Sequence, residues 1–280
     1  MDNWCGVGNQ DSEPRKGFRV SEGPQVLRRT EWLHKHLESR RIVRCHSTRN
    51  DIPAEELAGR VVLRAFCKGK HIFMEFDGGR FLHNHLLMKG IWRKLEGQQL
   101  FFPDTIWLAL YVGPFTICNL KGQMLKLVNE DAVKLQCDSL GPDAMARPYP
   151  KDMIRQSLSA TKLAISEALL DQSILCGVGN VAKSETLYLA GLDPRVAGCD
   201  LRPSQMDRLL EAIPAVLWNS YDKGGRWTHH VYHRHGQSCE KCGTVIRSMR
   251  LTPSKRATYF GPKCQGRDAE SSTAVTSSST

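Results

Sequence analysis

Three stretches of this chain combine residue types and spacings that suit chemistry. The first is Gly177-Val178-Gly179-Asn180. A glycine turn that opens onto a helix leaves backbone N–H groups free, and these, with the positive end of the helix dipole, suit a phosphate. The second is Cys239-Glu-Lys-Cys242-Gly, a knuckle with the two-residue spacing of zinc ligands. The third is the small module 223–267, which carries ten Lys or Arg against Glu240 within it and Asp222 just outside. Such a concentration of positive charge suits an acidic partner.

Each stretch needs elements to position it. The apolar residues Leu163, Ile165, Ala168, Leu169, Ile174 and Leu175 predict a helix before the glycine turn. Asn180 is then a good N-cap for a second helix over 181–190, closed by Gly191 and Pro194. Further along, Met206, Leu209, Leu210, Ile213 and Leu217 share one face of a helix over 203–219. Near the start, Pro24 opens a helix whose buried face is Val26, Thr30, Leu33 and Leu37.

Residues 42–135 alternate like strands. Ile72, Met74 and Phe76 point one way, Asp77-Gly78-Gly79 makes a hairpin turn, and 80–87 returns. The expected fold class is therefore multidomain α+β, with an N-terminal β-sandwich flanked by helices. The expected boundaries are a disordered extension at 1–19, a sandwich domain at 20–135, and a turn-rich linker at 136–159. A helical domain at 160–222, a finger-like hairpin module at 223–267 and a Ser/Thr-rich disordered tail at 268–280 complete the chain.

Composition narrows the function. The net charge of +10 over 280 residues points first to nucleic acid. No apolar run approaches the roughly 20 residues that span a bilayer, so no membrane partner is expected. The N-terminus lacks the apolar core of a secretory signal. The ten cysteines then read mostly as reduced, buried apolar residues of an intracellular protein, at home in the cytoplasm of a prokaryote or the nucleus of a eukaryote.

The order of these pieces resembles the formamidopyrimidine-DNA glycosylase and endonuclease VIII family, over roughly residues 20–267. Leu170-Asp171-Gln172 followed by Gly177-Val178-Gly179-Asn180 and a glutamate is similar to that family's helix–two-turns–helix segment, which grips the DNA backbone. Val20-Ser21-Glu22-Gly23-Pro24-Gln25 stands where members begin M-P-E-G-P-E. Gly69-Lys70 matches a strand lysine that reaches the active site. Leu86-Leu87-Met88-Lys89-Gly90 resembles the loop whose methionine fills the gap left by an everted base. Lys255-Arg256-Ala257-Thr258-Tyr259-Phe260 matches a hairpin tip whose arginine bonds the phosphate of the damaged nucleotide.

The resemblance implies a repair enzyme acting as a monomer on damaged DNA. It would evert and remove oxidised bases, with abasic-site lyase activity as a second expectation. Glu22 would be the general acid/base, with Ser21 and Lys70 beside it. Met88, Asn180, Lys255 and Arg256 would contact DNA.

Three departures fall where the chemistry lies. Ser21 replaces the nucleophilic proline and Gln25 a second glutamate. Gly261 replaces the first cysteine of a closing C-P-x-C-Q, leaving Cys239, Cys242 and Cys264 as metal ligands. Three thiolates do not close a structural zinc site, so His233, His235 or water completes it, or the hairpin folds without metal.

An amide nitrogen is no nucleophile. Either catalysis dispenses with an N-terminal amine, or translation starts at Val20 through a GUG codon. The second route frees a Ser21 amine with a pKa of about 8. The alternative reading is a catalytically impaired protein that recognises lesions or abasic sites.

Overall fold

The computed structural model describes residues 21–49, 51–87, 90–97, 105–120 and 124–266. The expected extension at 1–19, Val20, Met88 and the tail at 268–280 lie outside the described residues.

Helix α1 (Gly23–Leu37) begins with Pro24 in its first turn and buries Val26, Thr30, Leu33 and Leu37. This is the face that the sequence spacing predicts. Eight strands follow: β1 (Arg44–Ser47), β2 (Val62–Lys68), β3 (His71–Phe76), β4 (Arg80–His85), β5 (Ile91–Glu96), β6 (Ile106–Tyr111), β7 (Phe115–Leu120) and β8 (Met124–Asn129). Among the described residues they form two four-stranded sheets, ordered β1-β6-β7-β5 and β2-β3-β4-β8, with antiparallel pairing throughout.

The strands alternate as an antiparallel sandwich requires. Ile72, Met74, Phe76 and Leu82 from one sheet meet Trp92, Leu108, Leu110 and Ile117 from the other. Val26, Leu33 and Leu37 of α1 close that core.

A second core is helical. It is built from α3 (Lys151–Ser159), the short α4 (Ile165–Ala168), α5 (Asn180–Ala190) and α6 (Pro203–Asp222), with α2 (Glu130–Asp138) lying against β4 and β8. The segment 136–159, expected to be turn-rich, thus holds a regular helix over Lys151–Ser159. It buries Ile154 and Leu158, a short apolar face among charged neighbours. Helix α6 runs one turn beyond the expected Asn219. None of the described helices is long and apolar enough to cross a membrane.

The expected helix over 163–175 is not continuous. Only Ile165–Ala168 is α-helical, and the chain then turns. Polar side chains compete with the helical ladder there. Asp171 accepts from both the N–H and the hydroxyl of Ser173. Gln172 donates to the carbonyls of Leu170 and Val178 and accepts from Gly177 N–H.

A small third body carries β9 (Arg247–Arg250) and β10 (Ala257–Phe260) as an antiparallel hairpin. Its core is Val231, Cys239 and Ile246, with Tyr188 of α5 packed against it.

Candidate active site

The glycine turn brings the sandwich and the helical body together. Gly177 adopts φ +95°, a conformation that glycine reaches without steric penalty. Its carbonyl accepts from Gly23 N–H at 2.8 Å. On its other side lies the Gly69-Lys70 turn: a Cβ on Gly69 would stand 3.2 Å from Gly177 N. Asp143 fastens that turn by accepting from Gly69 N–H (2.7 Å) and Met145 N–H (2.8 Å). Residues about 50 and 150 positions apart in the chain thereby converge on the start of α5.

Glu22 occupies that start. Its carboxylate accepts from the N–H groups of Gly179 (3.2 Å), Val181 (2.8 Å) and Ala182 (3.0 Å). The N-cap of α5 is Gly179, and Asn180 is the first helical residue. Two expectations are corrected here. Asn180 does not cap the helix. The N–H groups expected to receive a phosphate are already bonded to a carboxylate 157 to 160 residues away in sequence. The helix dipole and the free amides do attract an anion, as the sequence suggests, but the chain supplies it.

Burial pushes the Glu22 pKa above the ordinary carboxylate value, with Lys70 and the three N–H donors opposing the shift. Lys70 is partly buried, and desolvation holds its ammonium below the usual lysine range, against the pull of Glu22 and with a further push from Arg256. Acid and lysine are thus each drawn toward neutrality. Ser21 precedes Glu22 in the chain and is partly buried. His71 and His85 lie within electrostatic reach of Lys70, and His83 stands behind His71, with His71 Nδ1 2.8 Å from His83 Nε2. Burial lowers all three to about 4, so they are neutral imidazoles at pH 7.

Gln25 is explained by its surroundings. Its amide oxygen accepts from Glu22 N–H (3.0 Å), and its NH₂ donates to Gly225 carbonyl (2.6 Å) and Ser220 hydroxyl (3.3 Å). An ionised glutamate cannot make the donation to Gly225. This substitution therefore serves the docking of α1 on α6.

The basic hairpin comes over the same helix start. Lys255 (φ +54°) and Arg256 are exposed at its tip. Ser254 fastens the tip by donating from its N–H (2.7 Å) and hydroxyl (3.0 Å) to Glu167 of α4. Below the tip, the Asn180 amide donates to Ala257 carbonyl (3.1 Å), and Lys183 Nζ donates to Asn180 Oδ1 (2.7 Å) and Thr258 Oγ1 (2.7 Å). Glu185 accepts from the N–H groups of His230 (2.9 Å), Val231 (3.1 Å) and Tyr232 (2.8 Å), which anchors the segment leading into the finger.

Glu167, Lys183 and Glu185 were not predicted from the sequence. Helix α5 is buried on nearly all sides, so its charged residues show no apolar-stripe contrast. Buried charges in such a helix need partners, and that requirement is the signal that would have found them.

Among the described residues, Cys239, Cys242 and Cys264 offer sulfurs that all lie within 4.8 Å of one another. Cys239 and Cys264 sulfurs are 3.9 Å apart. The Thr244 hydroxyl holds Cys242 below the usual thiol range, while burial raises Cys264. Gly261 lies against this group: a Cβ there would stand 3.8 Å from Cys239 Sγ and 3.6 Å from the Tyr188 ring. Tyr188 Oη is 3.3 Å from Cys239 Sγ. Neither His233 nor His235 belongs to the group. His233 stacks on Tyr259, and His235 faces Ser248. Three soft donors and a cradle of this size fit a thiophilic cation with one position left to another ligand.

Comparisons with known proteins agree with this arrangement. Residues 20–110 match the formamidopyrimidine-DNA glycosylase N-terminal domain, and residues 140–230 match its H2TH domain. The chain is 27% identical to "Endonuclease 8" of Salmonella schwarzengrund over 266 residues, covering 88% of this chain and all of that protein. It is 28% identical to "DNA-(apurinic or apyrimidinic site) lyase Nei2" of Mycolicibacterium smegmatis, covering 88% and 99%. In fold it is similar to the Lactococcus lactis Fpg solved in complex with DNA containing an abasic site. The TM-score is 0.77 and the identity 22%, over 88% of this chain and all of that one.

Proposed function

The chain belongs to the formamidopyrimidine-DNA glycosylase and endonuclease VIII family, and on that premise we propose that it is a base-excision repair glycosylase with abasic-site lyase activity. Its partner is damaged DNA, and oxidised bases are its substrates. One chain supplies the acid, the lysine and the arginine, so a monomer suffices. The observation that carries the reading is the Glu22 carboxyl, buried at 1% exposure on three backbone N–H groups with Lys70 in electrostatic reach and Arg256 acting in turn on Lys70.

The chemistry follows from these groups. Breaking the N-glycosidic bond sends its electron pair away with the base and leaves C1′ electron-poor. Glu22, whose pKa burial pushes above the ordinary carboxylate value, donates a proton to the sugar ring oxygen as the ring opens. The carboxylate left behind is stabilised by Gly179, Val181 and Ala182 N–H, bonds that strengthen when the acceptor is charged. In a chain that begins at Ser21, its free α-amine attacks C1′ as the base departs and gives one proton to that base; ring opening then leaves a protonated Schiff base, and loss of a C2′ proton with cleavage of the C3′–O bond is the lyase step. Lys70 and Arg256 hold the phosphates around the lesion, with Lys255 beside them, while Asn180, buried and bonded to Lys183 and Ala257, supports the hairpin that carries Arg256. Met88 fills the gap in the duplex.

Zinc fits the three thiols. Cys239, Cys242 and Cys264 would hold it, and when bound it supplies only a cross-link between the two arms of the finger.

Borohydride trapping on abasic-site DNA, followed by mass spectrometry of the adduct, tests the reading. We expect a covalent adduct at the Ser21 amine in protein whose chain starts there, and loss of base release in Glu22→Gln. An adduct at Lys70 would move the nucleophile to that side chain. DNA binding with neither an adduct nor base release would overturn the enzymatic reading.

A further inference from the structure

Lys183 has no part in the chemistry above, yet it is fully buried beneath it, at 0% exposure. Three oxygens receive its ammonium. Asn180 Oδ1 and Thr258 Oγ1 lie at 2.7 Å and Ala257 carbonyl at 3.4 Å. One of these sits on the first turn of α5, and two on the strand that leaves the Arg256 tip. The same first turn holds Glu22 through Gly179, Val181 and Ala182.

By accepting from Lys183, Asn180 Oδ1 also fixes which way its amide faces, so that Nδ2 donates to Ala257 carbonyl at 3.1 Å. The cation therefore ties the residue directly after Arg256 to the helix turn that carries the acid. The like charge of Arg256 is close enough to lower the Lys183 pKa, and the opposite charges of Glu167 and Glu22 raise it. Burial dominates and sets it at about 8. A buried charge costs stability unless it is paired. Keeping one here, with Arg256 working against it, needs a return.

We propose that Lys183 is a positioning residue, a buried ammonium that pins the Arg256 hairpin to the α5 N-terminus and so sets the distance between the phosphate grip and the Glu22 acid. The proposal rests on the DNA-glycosylase reading. A misplacement of about 1 Å in a positioned group can cost on the order of a hundredfold in rate, so the effect is measurable.

The test is a double-mutant cycle read as affinity for a duplex carrying a tetrahydrofuran abasic analogue. Wild type and Arg256→Ala alone test the DNA reading, because a protein of this function must prefer that duplex to an undamaged one. Lys183→Met keeps most of the side-chain volume and removes the charge. We expect it to weaken binding about tenfold when Arg256 is present, and to change it less than about twofold when Arg256 is already alanine. A residue that merely supported the fold would cost the same in both backgrounds. That additivity, or unchanged binding by Lys183→Met, would overturn the proposal.

Thr258→Val covers the case in which Lys183→Met fails to fold, since it removes one acceptor without touching the cation. Its loss of binding, expected at about threefold, must likewise vanish in the Arg256→Ala background. Additive losses there would also overturn the proposal.

Discussion

Gly179 owes its place to Glu22. Its φ of −122° is open to any residue, but a Cβ on it would stand 2.5 Å from Glu22 Cγ and Oε1. The glycine is required by the approach of the acid and not by the turn.

The consequence is a clean separation of fold and activity. In Gly179→Ala the carboxylate must leave its cradle while the helix remains. We expect base release in single-turnover assays to fall by about a hundredfold or more, the scale of a lost general acid. The circular dichroism spectrum and cooperative unfolding should be retained. Undiminished base release would remove Glu22 from the catalytic role proposed for it.

Metal content follows the Gly261 position. The wild-type group of three thiols should bind zinc weakly enough for a competing chelator to strip it. Gly261→Cys places a fourth sulfur on a Cβ 3.8 Å from Cys239 Sγ. It should raise zinc affinity by at least about tenfold, a fourth charged ligand being worth more than about 1.4 kcal/mol. Competition titration against a chromophoric chelator, together with metal analysis of the purified proteins, measures both. Equal affinity in the two proteins would show that the position beside Gly261 takes no part in the site.

Lys183 also predicts a pH dependence of stability. Its pKa falls from 10.5 in the unfolded chain to about 8 in the folded one. Between those values the unfolded state holds the proton and the folded state does not, so stability rises with pH. Below about pH 8 the buried charge carries its full cost. The cost is relieved as pH climbs through 8 toward 10.5, by about 3 kcal/mol for a shift of this size. Other lysines and the tyrosines titrate in the same window, so the measurement is the difference between wild type and Lys183→Met in urea unfolding at pH 7 and pH 10. A difference that does not change with pH would mean that the ammonium is solvated.

Much of this was legible in the sequence. The face of α1, the hairpin at Asp77-Gly78-Gly79 and the strands of the sandwich follow from local periodicity and turn chemistry. The glycine turn before α5 was legible as an anion site for the same reason. What fills it was not, because Glu22 lies 157 residues away and nothing local records that pairing. The broken helix after Ala168 was missed because its apolar residues keep helical spacing, while Asp171 and Gln172 spend their side chains on turns. Lys183 and Glu185 were invisible because a helix buried on nearly all sides gives charge no preferred face.

The cradle of Glu22 has a consequence for synthesis. The acid leaves the ribosome near the beginning of the chain, but its donors at Gly179, Val181 and Ala182 follow more than 150 residues later. Gly225, which fixes Gln25, comes later still. Domains tend to fold as units during translation, N-terminal first. The sandwich can therefore be complete while its carboxyl is still solvated, an ordinary surface glutamate. The buried acid comes into being only when the last third of the molecule docks, so a prematurely terminated chain carries a folded sandwich whose Glu22 has none of its three donors.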